Sequence, residues 1–193
     1  IPFHRTTLGF SVPAGSPLPT LDLSRVYVLT GGGTCSARES VINSLRGVGA
    51  SEGAFDRGEG EQADFAAAID HMAGRYPGVP LWAAGFSFGS WVALEVGAID
   101  PRVSVLIGIA PPVVTSVSGQ AYTFEHTLQS TKAKFFVQGE ADEVCPLEGL
   151  WQFYGRLHEP KEMAVIDGAN HLFDGQTQEV GEALEDLLAG FQP

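Results

Sequence analysis

The chain reads as an α/β domain whose mostly parallel sheet is flanked by helices. Three observations predict this. Apolar runs of strand length alternate with helical patterns along most of the chain. One of these runs passes into a helix through Gly85-Phe86-Ser87-Phe88-Gly89. A serine, an acid and a histidine each follow a separate apolar run, so a parallel sheet would gather them at one edge.

The bulk properties fit a single domain spanning 1–193. Of 193 residues, 44% are hydrophobic and 18% are charged, a globular composition with enough chain for a sizeable core. The net charge of −12 argues against nucleic acid or an anionic membrane as partner. Two cysteines, Cys35 and Cys145, make no disulfide framework. No Cys-x-x-Cys or Cys/His cluster suggests a metal. No apolar run approaches the roughly 18 residues of a membrane-spanning helix. No signal peptide is visible and a cytoplasmic location is expected, although a chain starting at Ile1 rather than Met leaves room for a removed leader.

The elements follow in order. Residues 1–24 are rich in proline, threonine and serine, with an edge strand at Thr7–Val12 and a loop at Pro13–Pro19. Arg25–Thr30 is β-branched and apolar, hence a strand, and Gly31-Gly32-Gly33 follows it. Those glycines either leave backbone N–H groups free to face a ligand or form a bare turn. Ser36 and Glu39 make a capping box for a helix over 37–46, but Val41–Leu45 also fits a short strand. Gly47–Gly60 is a loop without the Gly-Lys-Ser/Thr of a phosphate site.

Glu61–Arg75 is a helix with Phe65, Ala68, Ile69 and Met72 on one face, stopped by Pro77-Gly78. Val79–Ala84 is a strand and the helix after it reads from Trp91. Val103–Ala110 is a strand buried on both faces, halted by Pro111-Pro112. A short helix fits Phe124–Gln129, a buried strand Lys134–Gln138, a helix Pro146–His158, a strand Met163–Ile166 and a final helix Gln178–Ala189. There is no repeat or linker.

The chemistry sits at the strand ends. Strand, Gly-x-Ser-x-Gly, helix is the context of a nucleophile elbow, in which the serine projects from a strained turn. Gly85 and Gly89 let strand and helix approach closely. A plain strand-to-helix turn would carry the same residues. Gly139-Glu140-Ala141-Asp142 follows one later strand and Asp167-Gly168-Ala169-Asn170-His171 another, giving the order Ser, Asp, His. Ser87 would attack a carbonyl, His171 would take its proton, and Asp142 would orient the imidazole. Phe88 N–H at the helix start, with Gly31 and Gly32, would hold the oxyanion.

Other residues compete for these roles. Glu140, Glu143 and Asp167 are rival acids; Asp142 is preferred because it lies in the turn directly beyond its strand. His4, His71, His126 and His158 read as surface residues. Cys145 reads as a packed side chain rather than a nucleophile. Trp82, Trp91, Phe86 and Phe88 read as core or pocket wall, with Phe86 and Trp151 as pocket candidates.

Leu45–Gly53, Leu81–Gly89, Ala110-Pro111-Pro112, Gly139–Asp142 and Gly168–Phe173 together resemble the α/β-hydrolase superfamily. Within it the chain is most similar to small, lid-poor bacterial esterase-like hydrolases related to dienelactone hydrolases and serine aminopeptidases. The resemblance implies an α/β-hydrolase fold, a Ser87/Asp142/His171 triad and no metal or organic cofactor. It also marks a departure. Thr30–Thr34 stands in place of a His-Pro-x-x-Gly-Gly-like segment, and about a dozen residues, Thr34–Leu45, occupy the place of a helix and a strand. An early helix or strand is then missing, or belongs to residues outside this sequence, or comes from a partner chain. An open sheet edge there would favour a homodimer.

The expected activity is hydrolysis of short-chain carboxylic esters, small-molecule substrates, because 113–131 is too short for a substantial lid. A peptidase or amidase with the same triad is one alternative. A non-catalytic binding protein on the same fold is the other.

Overall fold

The computed structural model describes residues 26–31, 54–114, 121–189 and 191, the first segment by its backbone alone. The readings for 1–25, for 37–46 and for Gly32 and Gly33 lie outside these residues. The described strands are β1 (Val26–Gly31), β2 (Leu81–Phe86), β3 (Val103–Ile109), β4 (Ala133–Gly139) and β5 (Lys161–Ile166). They lie side by side in sequence order and every neighbouring pair is parallel. The described helices are α1 (Glu59–Arg75), α2 (Phe88–Ile99), α3 (Glu125–Gln129), α4 (Leu147–Tyr154) and α5 (Thr177–Ala189).

Sequential order has a consequence for the layers. Each crossover steps the same way, and right-handed connections then put the linking helices on one face. That face joins Phe65 and Ile69 of α1, Leu94 of α2 and Leu150 and Phe153 of α4 to Leu81, Ala83, Leu106 and Phe136 of the sheet. The opposite face carries Trp82, Ala84, Val105, Ile107, Phe135 and Val137, covered by Val180, Leu184 and Leu188 of α5. Adjacent strand residues point to opposite faces, and both are apolar, which is why these strands read as unbroken hydrophobic runs.

The element ends differ from the sequence reading in informative ways. Helix α1 starts at Glu59, two residues before the predicted Glu61. Glu61 reaches back instead, and its buried carboxylate accepts Gly58 N and Asp56 N, both at 2.8 Å. Strand β2 starts at Leu81, because Val79 N bonds Tyr76 O and closes the turn after α1. Helix α2 takes in Phe88 and Gly89, so it begins immediately after Ser87. Helix α4 stops at Tyr154, well before the predicted His158. Bonds from Arg156 N to Phe153 O and Leu157 N to Tyr154 O tighten its end into turns that feed β5. Pro146 precedes that helix in an extended conformation, ψ 136°, as its N-cap.

Lys134 carries a pH-dependent part of the stability. It is fully buried in β4, and its ammonium donates to Lys132 O and His158 O. Burial first, and the Lys161 charge second, pull it down to about 8, with Glu159 pulling the other way. The unfolded chain therefore holds more protons than the folded one between about pH 8 and the ordinary lysine value. Stability rises with pH across that window, and the full penalty is present below it. We expect the unfolding free energy of the wild type to gain on that of Lys134→Met between pH 7.5 and 9.5, as read by urea denaturation. Parallel pH profiles for the two proteins would refute this.

Candidate active site

The turn between β2 and α2 is built around a close backbone approach. A Cβ on Gly85 would lie 2.1 Å from Gly89 O, so only glycine fits at the strand end. Ser87 at the apex has φ 50° and ψ −127°, a strained conformation for a residue with a side chain. The surroundings over-determine it. Ser87 N donates to Ile109 O at 2.8 Å, and Ser87 O accepts both Ser90 N at 2.9 Å and Ser90 Oγ at 2.6 Å.

The turns after β4 and β5 are laced together in the same manner. Glu140 N donates to Ile166 O and Ala141 N to Ala169 O, each at 3.0 Å. A Cβ on Gly139 would sit 2.4 Å from Ala169 O. Asn170 organises its own turn: its Oδ1 accepts Leu172 N and Asp174 N, and its Nδ2 donates to Asp174.

These three turns bring Ser87, His171 and Asp142 together. His171 Nε2 lies 2.9 Å from Ser87 Oγ, and His171 Nδ1 lies 2.8 Å from Asp142 Oδ2. A carboxylate accepts only, so Nδ1 carries the proton and Nε2 is left to accept from the serine hydroxyl. The Asp142 side chain is fully enclosed, and that of His171 is 14% exposed. The carboxylate is well supplied with donors: Oδ1 takes Val144 N at 2.8 Å and Cys145 N at 2.7 Å, and Oδ2 also takes Gln138 Nε2 at 2.9 Å. The Phe86 ring lies against the imidazole, 5.2 Å between centroids, and against Phe173 behind it.

The rival residues lie elsewhere. Glu140 is exposed and accepts Gly168 N at 2.9 Å. Glu143 and Asp167 are exposed, as are His71, His126 and His158; His4 lies outside the described residues. Gly31 ends β1 directly beside Phe86 in the sheet register, at the same strand edge as Ser87. Phe88 opens α2, so its N–H belongs to the first turn, where helical donors lack helical acceptors. Trp151 is about half exposed on α4, with its ring edge-on to Tyr154.

Two neighbours escaped the sequence reading. Gln138 is one, and its signal was a polar residue after the apolar run Phe135–Val137, four positions before Asp142. The other is the pair Phe55 and Tyr122, which with Trp91 meet the Phe88 ring at 5.4 to 5.7 Å. Cys145 is buried, and its sulfur, an Asp142 oxygen and a His171 nitrogen all lie within 4.8 Å of one another. Burial first and the Asp142 charge second push its thiol up to about 12. The Asp142 oxygens are already engaged by His171, Gln138 and the backbone at 144 and 145. No described helix is long and apolar enough to cross a membrane.

No protein-family model matches the chain. It is 32% identical over 155 residues to an uncharacterized protein of Rickettsia prowazekii (strain Madrid E), a match covering 77% of this chain and 64% of that protein. The matched part thus spans just under two thirds of that relative. Among solved structures, a lid-less α/β serine hydrolase from Xanthomonas campestris has the same fold, with TM-score 0.72 and 24% identity over 88% of this chain and 84% of its own. An alpha-beta serine hydrolase homologue from Coxiella burnetii matches with TM-score 0.71 and 30% identity, covering 84% of this chain and 85% of that one. A likeness of that depth, covering 85% of the Coxiella chain, means that the chain belongs to the α/β-hydrolase superfamily.

Proposed function

We propose that the chain is a serine hydrolase that cleaves short-chain carboxylic esters through an acyl-enzyme. The observation that carries this reading is the continuous relay from Asp142 through His171 to Ser87, at 2.8 and 2.9 Å. Ser87 Oγ attacks the ester carbonyl as its proton passes to His171 Nε2. Asp142 keeps the imidazole in the tautomer that can accept it and stabilises the imidazolium. The oxyanion meets Phe88 N–H, with Gly31 at the end of β1, or Gly32 next in sequence, as the candidate second donor. His171 then returns the proton to the leaving alcohol, and water activated by the same imidazole releases the acid.

Short acyl groups fit the surroundings. Val144 and Leu172, exposed and close in sequence to Asp142 and His171, are candidates for an apolar rim, with Phe86 and Trp151 as further wall candidates. The connection from β3 to α3 has about fifteen residues, too few for a lid that would cover a long chain. A hydrolase named in several fold neighbours agrees with the reaction class. The test is labelling with a fluorophosphonate, read by intact mass, followed by a substrate panel. We expect stoichiometric labelling, and kcat/KM for p-nitrophenyl butyrate at least about tenfold above that for the laurate. Faster cleavage of laurate would refute the short-chain assignment. Faster cleavage of an aminoacyl anilide would make the protein a peptidase. A folded protein that resists the probe would be a binding protein.

A further inference from the structure

We infer that Gln138 is a positioning residue for the Asp142–His171 pair, one that both aims the carboxylate and limits its basicity. The inference rests on the hydrolase reading only for its kinetic consequence.

Gln138 lies near the end of β4 and its side chain is fully buried. Its Nε2 donates to Asp142 Oδ2 at 2.9 Å and to Cys145 O at 2.7 Å. Both partners accept only, so the amide cannot be turned over without setting its oxygen against a carboxylate and a carbonyl. Its own Oε1 is buried with no hydrogen-bond partner among the described residues. The amide meets the acid through its donor side.

The two oxygens of Asp142 have different duties. Oδ1 is held by the backbone at Val144 and Cys145. Oδ2 is shared between His171 Nδ1 and Gln138 Nε2. The glutamine thus fixes the rotation of the carboxylate from the side that backbone donors do not reach. It also draws negative charge away from the oxygen that faces the imidazole. Without it, Oδ2 becomes a stronger base and holds the imidazolium more tightly. The amide anchors the Cys145 carbonyl as well, which ties the acid turn to the strand.

Among the described residues, few other ionisable groups face His171. The Cys145 thiol is neutral. Glu140 is bonded to Gly168 N, and Asp174 to the Asn170 amide. Among the described residues, Ser87 and the Phe86 ring also lie against the imidazole. A change in the titration of His171 after substitution at Gln138 therefore reports on Asp142.

The test compares the wild type with Gln138→Met and Gln138→Asn by two readouts. The first follows the His171 imidazole by NMR against pH, assigned with His171→Asn, and needs no activity. The second is the pH profile of kcat/KM for p-nitrophenyl butyrate. In Gln138→Met we expect the imidazole midpoint and the acid limb to move up together by about half a pH unit or more. Gln138→Asn, which withdraws the amide by one methylene, moves both in the same direction and reads the effect should the methionine variant not fold. A folded variant in which neither quantity moves, whatever its Tm, overturns the proposal. A wild type without esterase activity removes the hydrolase reading, while the NMR shift still decides the role of Gln138.

Discussion

Ser87→Ala lowers kcat/KM for p-nitrophenyl butyrate by about 10⁴- to 10⁶-fold and abolishes fluorophosphonate labelling, on the reading proposed here. The hydroxyl is the one group at the β2–α2 turn that the His171 relay can activate, at 2.9 Å from Nε2. Alanine leaves the backbone N–H of Phe88 and any pocket in place, so a small residual rate above solution is expected. The fold should be nearly unaffected. The turn is held by backbone bonds at Ser87 N and Ser87 O and by the glycine at 85, none of which needs the hydroxyl. We expect a Tm within a few degrees of wild type. Retained labelling in the alanine variant would place the nucleophile elsewhere and remove the mechanism.

Asp142→Asn lowers kcat at neutral pH by about 10⁴-fold, with little change in KM. The local donors dictate the outcome. Val144 N and Cys145 N both point at the Oδ1 position, so the asparagine must keep its oxygen there. Its NH₂ is then forced to the Oδ2 position, facing Gln138 Nε2 and His171 Nδ1. An amide donor at that point requires Nδ1 to accept, which moves the imidazole proton to Nε2. An imidazole so protonated cannot take the proton of Ser87. The effect on KM is small because no substrate atom touches this buried residue. A loss of less than tenfold would show that another acid, or none, serves the histidine. Glu140 would then be first to test, although it now binds Gly168 N.

Much of this could be read from the chain alone. The apolar runs read as strands at 79–84, 103–110 and 134–138 overlap β2, β3 and β4, and the helical repeats between them imply parallel crossovers. Parallel strands all end at one edge, so whatever follows them in sequence is gathered there without any long-range detail. This is why Ser87, Asp142 and His171 could be named together. Element ends were less legible. Helix α1 begins two residues early because Glu61 can reach back to Gly58 and Asp56, and α4 ends early because the chain must turn to enter β5.

The choice among neighbours of the site was left to the tertiary structure. Glu140, Asp142, Glu143 and Asp167 all follow strands, and spacing favours Asp142 only weakly. Asp142 reaches the imidazole because the β4 and β5 turns are laced through Ala169 O and because Gly139 leaves room for that contact. The role of Gln138 was left open for the same reason: it donates to a residue four positions on, and only the folded turn says where its amide points. Pattern and period fix which face of an element is apolar and which residues come at its end, since these depend on local backbone geometry. Hydrogen bonds within the site depend on angles and tenths of an ångström between separate turns, and only the packed sheet sets those.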